Sequence, residues 1–276
     1  MHVMHPLNSL ARLITLTAFS TAVICVNASA QEVKIGGTGS GLGTMKILAD
    51  AYARQHREFK HTVLPSLGST GGIKALRAGA IQVGLSSRPL KDNEAQGGFM
   101  SIEYGRTPFI FATPNKTAVF EITTQSLAEL YAGKTEKWPD GTPIRLVMRP
   151  IGDTDTEVIK AISPAMRLAK EVAEKRPGML FTVTDQETAD GIESVPGSLG
   201  PSTLALVLSE KRAMRPLSLD GVVPSVKALA EGRYPLSKTM YLVIPIEPSP
   251  AVRGFVNFVR SPAGRALLAQ NGHWVK

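Results

Sequence analysis

Two glycine-rich polar loops constrain what this chain can fold into. The first, Gly36-Gly37-Thr38-Gly39-Ser40-Gly41-Leu42-Gly43, follows the short strand pattern Val33-Lys34-Ile35. It leads into the helical spacing Met45, Leu48, Ala49, Tyr52. The second, Ser66-Leu67-Gly68-Ser69-Thr70-Gly71-Gly72, follows a strand expected over residues 61–64 and leads into a helix expected over 73–78. An apolar strand is expected next, over 80–85. A repeated order of strand, glycine loop, helix and strand specifies an α/β architecture with a parallel sheet. Further along, strands are expected over 108–113, 144–149, 180–184 and 240–245. Helices are expected over 124–132, from about 156, over 185–193 and over 250–270. Thr123 or Thr124 is placed to cap the first of these helices.

The loops carry hydroxyls where strands turn into helices. Thr38 and Ser40, Ser69 and Thr70, and Thr154 and Thr156 form three such sets. A helix N-terminus offers unpaired N–H donors and a partial positive charge. Glycines let an anion approach the backbone closely. Three such termini could surround one tetrahedral oxyanion with neutral donors. The same residues also serve as ordinary N-caps, and both readings stand at this point.

Enzyme readings of the glycines find less support. The first loop forms no clean G-x-G-x-x-G, and Lys-Ser/Thr does not follow it as a phosphate-binding loop requires. There is no G-x-S-x-G elbow and no Ser-x-x-Lys pair. Past residue 30 the histidines are His56, His61 and His273, scattered and without HExxH spacing. The single cysteine excludes an intramolecular disulfide framework and a CxxC site. Aromatic residues at 6% speak against a base-stacking nucleic-acid binder. No cofactor, metal or catalytic residue is expected.

The first thirty residues read as an address. Arg12 is the only charged side chain before Glu32; the uncharged stretch 13–26 follows it, and then Ala28-Ser29-Ala30. That is a signal peptide over residues 1–30 with an A-x-A cleavage site, which places Gln31 at the mature N-terminus. The apolar stretch is shorter than the ~20 residues of a spanning helix, although an N-terminal anchor is the other reading of the same residues. Cys25 lies inside this stretch behind Ile24, where a lipobox would have Gly or Ala. Removing the leader takes Arg12 with it, so the net charge falls by one from the +8 of the whole chain. A periplasmic location is expected.

The order of motifs over nearly all of the mature chain resembles the periplasmic phosphate-binding proteins of ABC transporters. The markers are Gly37-Thr38-Gly39-Ser40 and Gly68-Ser69-Thr70-Gly71-Gly72-Ile73-Lys74, then the run 83–90 (VGLSSRPL) and the run 127–138 (LAELYAGKTEKW). Tyr234-Pro235-Leu236, ahead of Tyr241-Leu242-Val243, is similar to the family's second crossover. The resemblance implies a two-lobed type II periplasmic-binding-protein fold with the ligand in the cleft between lobes. We expect lobe 1 over 31–113 and 240–276 and lobe 2 over 114–239. It implies ligand donors at Thr38, Gly39, Ser40, Ser69, Thr70 and Ser87, with Arg149 and the helix start Asp153-Thr154-Asp155-Thr156 in the second lobe. It also implies an inner-membrane ABC permease as partner, inorganic phosphate or a similar oxyanion as ligand, no nucleic acid, and a monomer.

Two departures bear on the ligand. Where the family has an Asp that accepts a hydrogen bond from protonated phosphate, this chain has Ser87. The family's Asp-Gly-Ser-Gly-Thr run is Gly152-Asp153-Thr154-Asp155-Thr156 here. Carboxylates beside an anion's helix terminus are unfavourable unless they turn away or bind an acidic proton. Asp153 or Asp155 is therefore either an N-cap or a substitute acceptor. Another solute in the same fold, a sensing role, and a phosphate-ester hydrolase using the same cradle are the alternatives.

Overall fold

The computed structural model describes residues 1–2 and 31–276. The expected leader lies, but for its first two residues, outside the described residues. Strand β1 (Gln31–Gly37) runs through one turn of 3-10 helix (Gly39–Gly41) into α1 (Leu42–Ala53). Next come β2 (Phe59–Val63), α2 (Gly68–Arg77), β3 (Val83–Ser86) and the short α3 (Asp92–Ala95). β4 (Phe99–Pro114) then carries the chain into a second lobe.

That lobe contains β5 (Glu121–Ile122), α4 (Thr124–Ala132), β6 (Arg145–Met148), α5 (Thr154–Ala161) and α6 (Pro164–Lys175). It continues through β7 (Leu180–Phe181), α7 (Asp185–Ser194), β8 (Ser198–Thr203) and α8 (Leu204–Ser209). β9 (Met214–Pro216), β10 (Ser218–Leu219) and α9 (Val226–Ala230) complete it. β11 (Ser237–Pro245) returns the chain to the first lobe, where α10 (Pro250–Arg260) and α11 (Pro262–Gln270) pack.

The strand order is β2-β1-β3-β11-β4-β8-β6-β7, with β9 also on β4. β1 pairs in parallel with both β2 and β3, and β6 pairs in parallel with both β7 and β8. The antiparallel pairs involve the two crossing strands. β11 pairs with β3 and with β4 from Phe99 to Pro108, while Phe109–Ala112 of β4 pairs with β8. The long strand β4 thus links the two halves of the sheet, pairing with β11 along its first part and with β8 along its last.

The apolar side chains separate accordingly. One buried cluster gathers Val33, Ile35, Leu48, Tyr52, Leu85, Leu242 and Phe255. Another gathers Phe109, Phe111, Leu127, Tyr131, Trp138 and Leu146. The segment 127–138 forms most of α4 and its exit. The Thr123 side chain accepts from Ser126 N to cap α4, Gly133 ends it in the left-handed conformation, and Trp138 Nε1 donates to the Gly197 carbonyl at 3.0 Å. Tyr234 donates its hydroxyl to the Phe109 carbonyl at 2.9 Å, tying the return segment to β4.

The helix expected over 250–270 is two helices, α10 and α11, that meet at Ser261, and α6, β8, α8, β9, β10 and α9 are among the elements not expected. β4 begins at Phe99 rather than near Pro108. Its first half carries Glu103 and Arg106, which form an ion pair on the partly exposed flank, so the apolar run that signals a buried strand is missing there.

The glycine loops sit side by side because β1 lies between β2 and β3. Leu67 N donates to the Gly37 carbonyl at 3.0 Å, and Thr38 N donates to the Leu85 carbonyl at 3.0 Å. A Cβ on Gly72 would lie 2.6 Å from the Gly37 Cα. Backbone cannot move aside as a side-chain tip can, so Gly72→Ala should push α2 off β1. We expect a loss of about 1–3 kcal/mol, the usual cost of overpacking, read as a lower thermal midpoint.

Candidate functional site

The lobes meet at the first glycine loop, and a buried charged cluster lies at that junction. Ser40, on the 3-10 turn, is 1% exposed. Its hydroxyl donates to Asp185 Oδ1 at 2.8 Å and accepts from Lys238 Nζ at 2.9 Å. Asp185 opens α7 in the second lobe, and Lys238 lies near the start of the crossing strand β11. Lys238 Nζ also stands 3.4 Å from Asp185 Oδ1 and forms an ion pair with Asp155 in the first turn of α5. Lys238 faces inward because it has the same parity as the buried Met240 and Leu242 on β11.

Arg149 is the second cation, 2% exposed. Its Nε and Nη2 donate to the two oxygens of Asp153 at 3.2 and 2.8 Å. Its Nη1 donates to the Thr182 carbonyl at 3.1 Å. Asp153 is the N-cap of α5: its Oδ1 accepts from Asp155 N at 2.9 Å, which satisfies one of the helix's free donors. Thr156 and Lys170 both donate to the Arg149 carbonyl, at 3.0 and 3.2 Å, and so fix the strand end that carries the guanidinium.

The charges set one another's protonation. Burial, Asp185 and Asp153 push the Asp155 carboxyl up to about 6, against the pull of Lys238. Burial also acts to raise Asp185, but Lys238, Arg149 and the Ser40 hydroxyl outweigh it and hold that carboxyl down to about 2. For Lys238, burial favours the neutral form, yet Asp155 and Asp185 together keep it charged and raise it. Two acids sharing one ammonium titrate as a pair.

The remaining expected residues group nearby. Ser69, in the first turn of α2, accepts from Ser87 N at 3.0 Å, and the two hydroxyls lie 3.1 Å apart. Thr70 is exposed and accepts from Arg88 Nη2 at 3.3 Å, while Arg88 also binds Glu94. Thr38 is buried at the mouth of the first loop. The Gly39 carbonyl accepts from Gln186 Nε2 at 3.0 Å, across the lobe junction. Thr154 is half-buried at the start of α5. The structure therefore brings Ser40, Arg149, Asp153 and Asp155 into one cluster with Asp185 and Lys238. Ser69 and Ser87 form a separate neutral pair.

Sequence reasoning did not single out Asp185 or Lys238. Asp185 reads as an acidic residue in a helix's first turn, where acids are common. Lys238 carried a signal in its inward parity on a strand whose other inward residues are apolar.

The two lobes, the crossing strands and the junction of a glycine loop with helix N-termini define a class: two-lobed binding proteins with a site between lobes. The sequence matches the PBP superfamily domain over residues 26–263, and the chain belongs to that family. It is 20% identical over 271 residues to the phosphate-binding protein PstS of Borreliella burgdorferi, covering 94% of this chain and 96% of the relative. It is 24% identical to PstS of Bacillus subtilis, covering 92% and 89%. Its fold is similar to that of a candidate phosphate ABC transporter substrate-binding protein from Clostridium perfringens, solved with bound phosphate. The TM-score is 0.73 at 20% identity, covering 89% of this chain and 100% of that one.

Proposed function

We propose that the protein is a periplasmic solute-binding protein that captures a small oxyanion, phosphate foremost, between its lobes and delivers it to an ABC permease of the inner membrane. One observation carries the reading. Ser40 of the first lobe and Lys238 of the crossing strand converge on an anionic group, the Asp185 carboxylate, at 2.8 and 3.4 Å. A hydroxyl and an ammonium aimed at one buried point suit an oxyanion. In this reading the protein makes and breaks no bonds. It acts as a monomer, after export and cleavage behind Ala30.

Selection of phosphate over sulfate needs an acceptor for phosphate's proton. Both oxygens of Asp153 are committed to Arg149, and one also caps α5. Asp155 is the better acceptor, since its carboxyl neither pairs with Arg149 nor caps the helix and faces Lys238 at the junction. Asp155→Asn should reduce phosphate-over-sulfate selectivity about ten- to a hundredfold, corresponding to ~1.5–3 kcal/mol for one charged hydrogen bond. Competition calorimetry on the parent, Asp155→Asn and Asp153→Asn checks this, and selectivity that survives Asp155→Asn excludes the role.

A different solute in the same cleft is the second reading. It is favoured by the three carboxylates, Asp153, Asp155 and Asp185, set against two cations. Native mass spectrometry of the protein purified from its own periplasm separates the two. A co-purifying mass of phosphate supports the first, and any other bound mass supports the second.

A further inference from the structure

The Asp185 carboxylate is held as an anionic ligand would be. It accepts from Ser40 and faces Lys238, and the neighbouring Gln186 reaches across to the Gly39 carbonyl. Gln186 Nε2 also donates to Glu210 Oε1 at 2.7 Å, beside the end of α8. This approach depends on the absence of a side chain at residue 39. A Cβ there would collide with the Gln186 amide oxygen and would lie 2.7 Å from both Asp185 Cβ and Oδ2. Gly39 adopts no positive φ, so the backbone itself does not call for glycine. The closeness of the second lobe does.

The geometry points to a tethered-anion latch: Asp185 occupies the anion position between Ser40 and Lys238, bridges the lobes there, and must be displaced by the anionic group of an incoming solute. The inference rests on the reading of this cleft as an anion site, and it adds that the chain supplies its own competitor. The two lobes are then held together by Asp185 before solute arrives. Solute affinity is set by the difference between two anions competing for the same hydroxyl and ammonium, rather than by the donors alone. A competitor tethered on α7 acts at high effective concentration, so its removal is felt strongly.

Two variants test the latch independently. Asp185→Asn removes the competing charge. Gly39→Ala wedges the junction without changing any charge. Protein freed of bound solute by unfolding, dialysis and refolding would be measured by small-angle scattering. Both variants should show a larger radius of gyration than the parent. In calorimetric titration with inorganic phosphate, Asp185→Asn should bind about tenfold tighter or more, the worth of one charged hydrogen bond. Equal radii for the parent and both variants would overturn the latch whatever phosphate does. Expanded variants with phosphate affinity unchanged or weaker in Asp185→Asn would overturn the competition. Expanded variants with no phosphate binding by parent or Asp185→Asn would support the latch while removing phosphate as the anion that opens it.

Discussion

Replacing Lys238 with methionine should lower the stability of the folded protein by about 3–5 kcal/mol, the cost of removing one partner from a buried ion cluster. Lys238 is 3% exposed and serves Asp155, Asp185 and the Ser40 hydroxyl together. Methionine fills a similar volume but leaves two buried carboxyls, 2% and 7% exposed, without their shared cation. Such a pair cannot both stay ionised, so the variant should recover stability in acid as the carboxyls take up protons. Denaturant unfolding at neutral and mildly acidic pH measures both effects. A midpoint within ordinary surface-mutation scatter of the parent would mean that the cluster is wet and open rather than buried.

A second large effect should appear in the pH dependence of stability. A carboxyl raised to about 6 holds its proton more tightly folded than unfolded. Its contribution is therefore fully present below the unfolded value of ~4 and is lost as pH rises through about 6. Asp185, held down to about 2, acts in the opposite sense: its contribution is present above ~4 and is lost as pH falls toward 2. His61 and His273 are both lowered by burial, His273 to about 4, and they favour the folded state as pH rises. The Asp155 effect is thus isolated as a difference between parent and Asp155→Asn. Between pH 4 and pH 7 the parent should lose about 1–3 kcal/mol relative to the variant. Parallel stability curves for the two proteins would place the proton elsewhere.

The fold was legible because its determinants are local. The glycine loops mark where strands turn into helices, and the loop beginning at Gly68 ends in Gly72, where a Cβ would meet the backbone of β1. The helix expected over 124–132 with a cap at Thr123 or Thr124 is α4, capped by Thr123. The first half of β4 was not legible. Its residues alternate poorly, and its place is set by pairing with β11, more than a hundred residues later.

The candidate site was half legible for the same reason. Ser40 lies in a glycine loop that local sequence marks, and Arg149 was implied by the family resemblance. Asp185 and Lys238 are 145 and 198 residues from Ser40 in the chain, and no local pattern links them. The departures at Ser87 and Asp153–Thr156 pointed to a changed charge balance. They did not reveal that Asp153 would be spent on Arg149 and on a helix cap, nor that the acid beside the hydroxyl would come from α7. The burial of a lysine among apolar neighbours on β11 was the one usable hint.

A crystal structure of the protein grown in millimolar inorganic phosphate would show which anion sits between Ser40 and Lys238. A tetrahedral anion should lie between the lobes, with oxygens within hydrogen-bonding distance of Ser40 Oγ and Lys238 Nζ, and with the Asp185 carboxylate moved off both. Asp185 still bound to Ser40 and Lys238, with no anion at that junction, would contradict that placement.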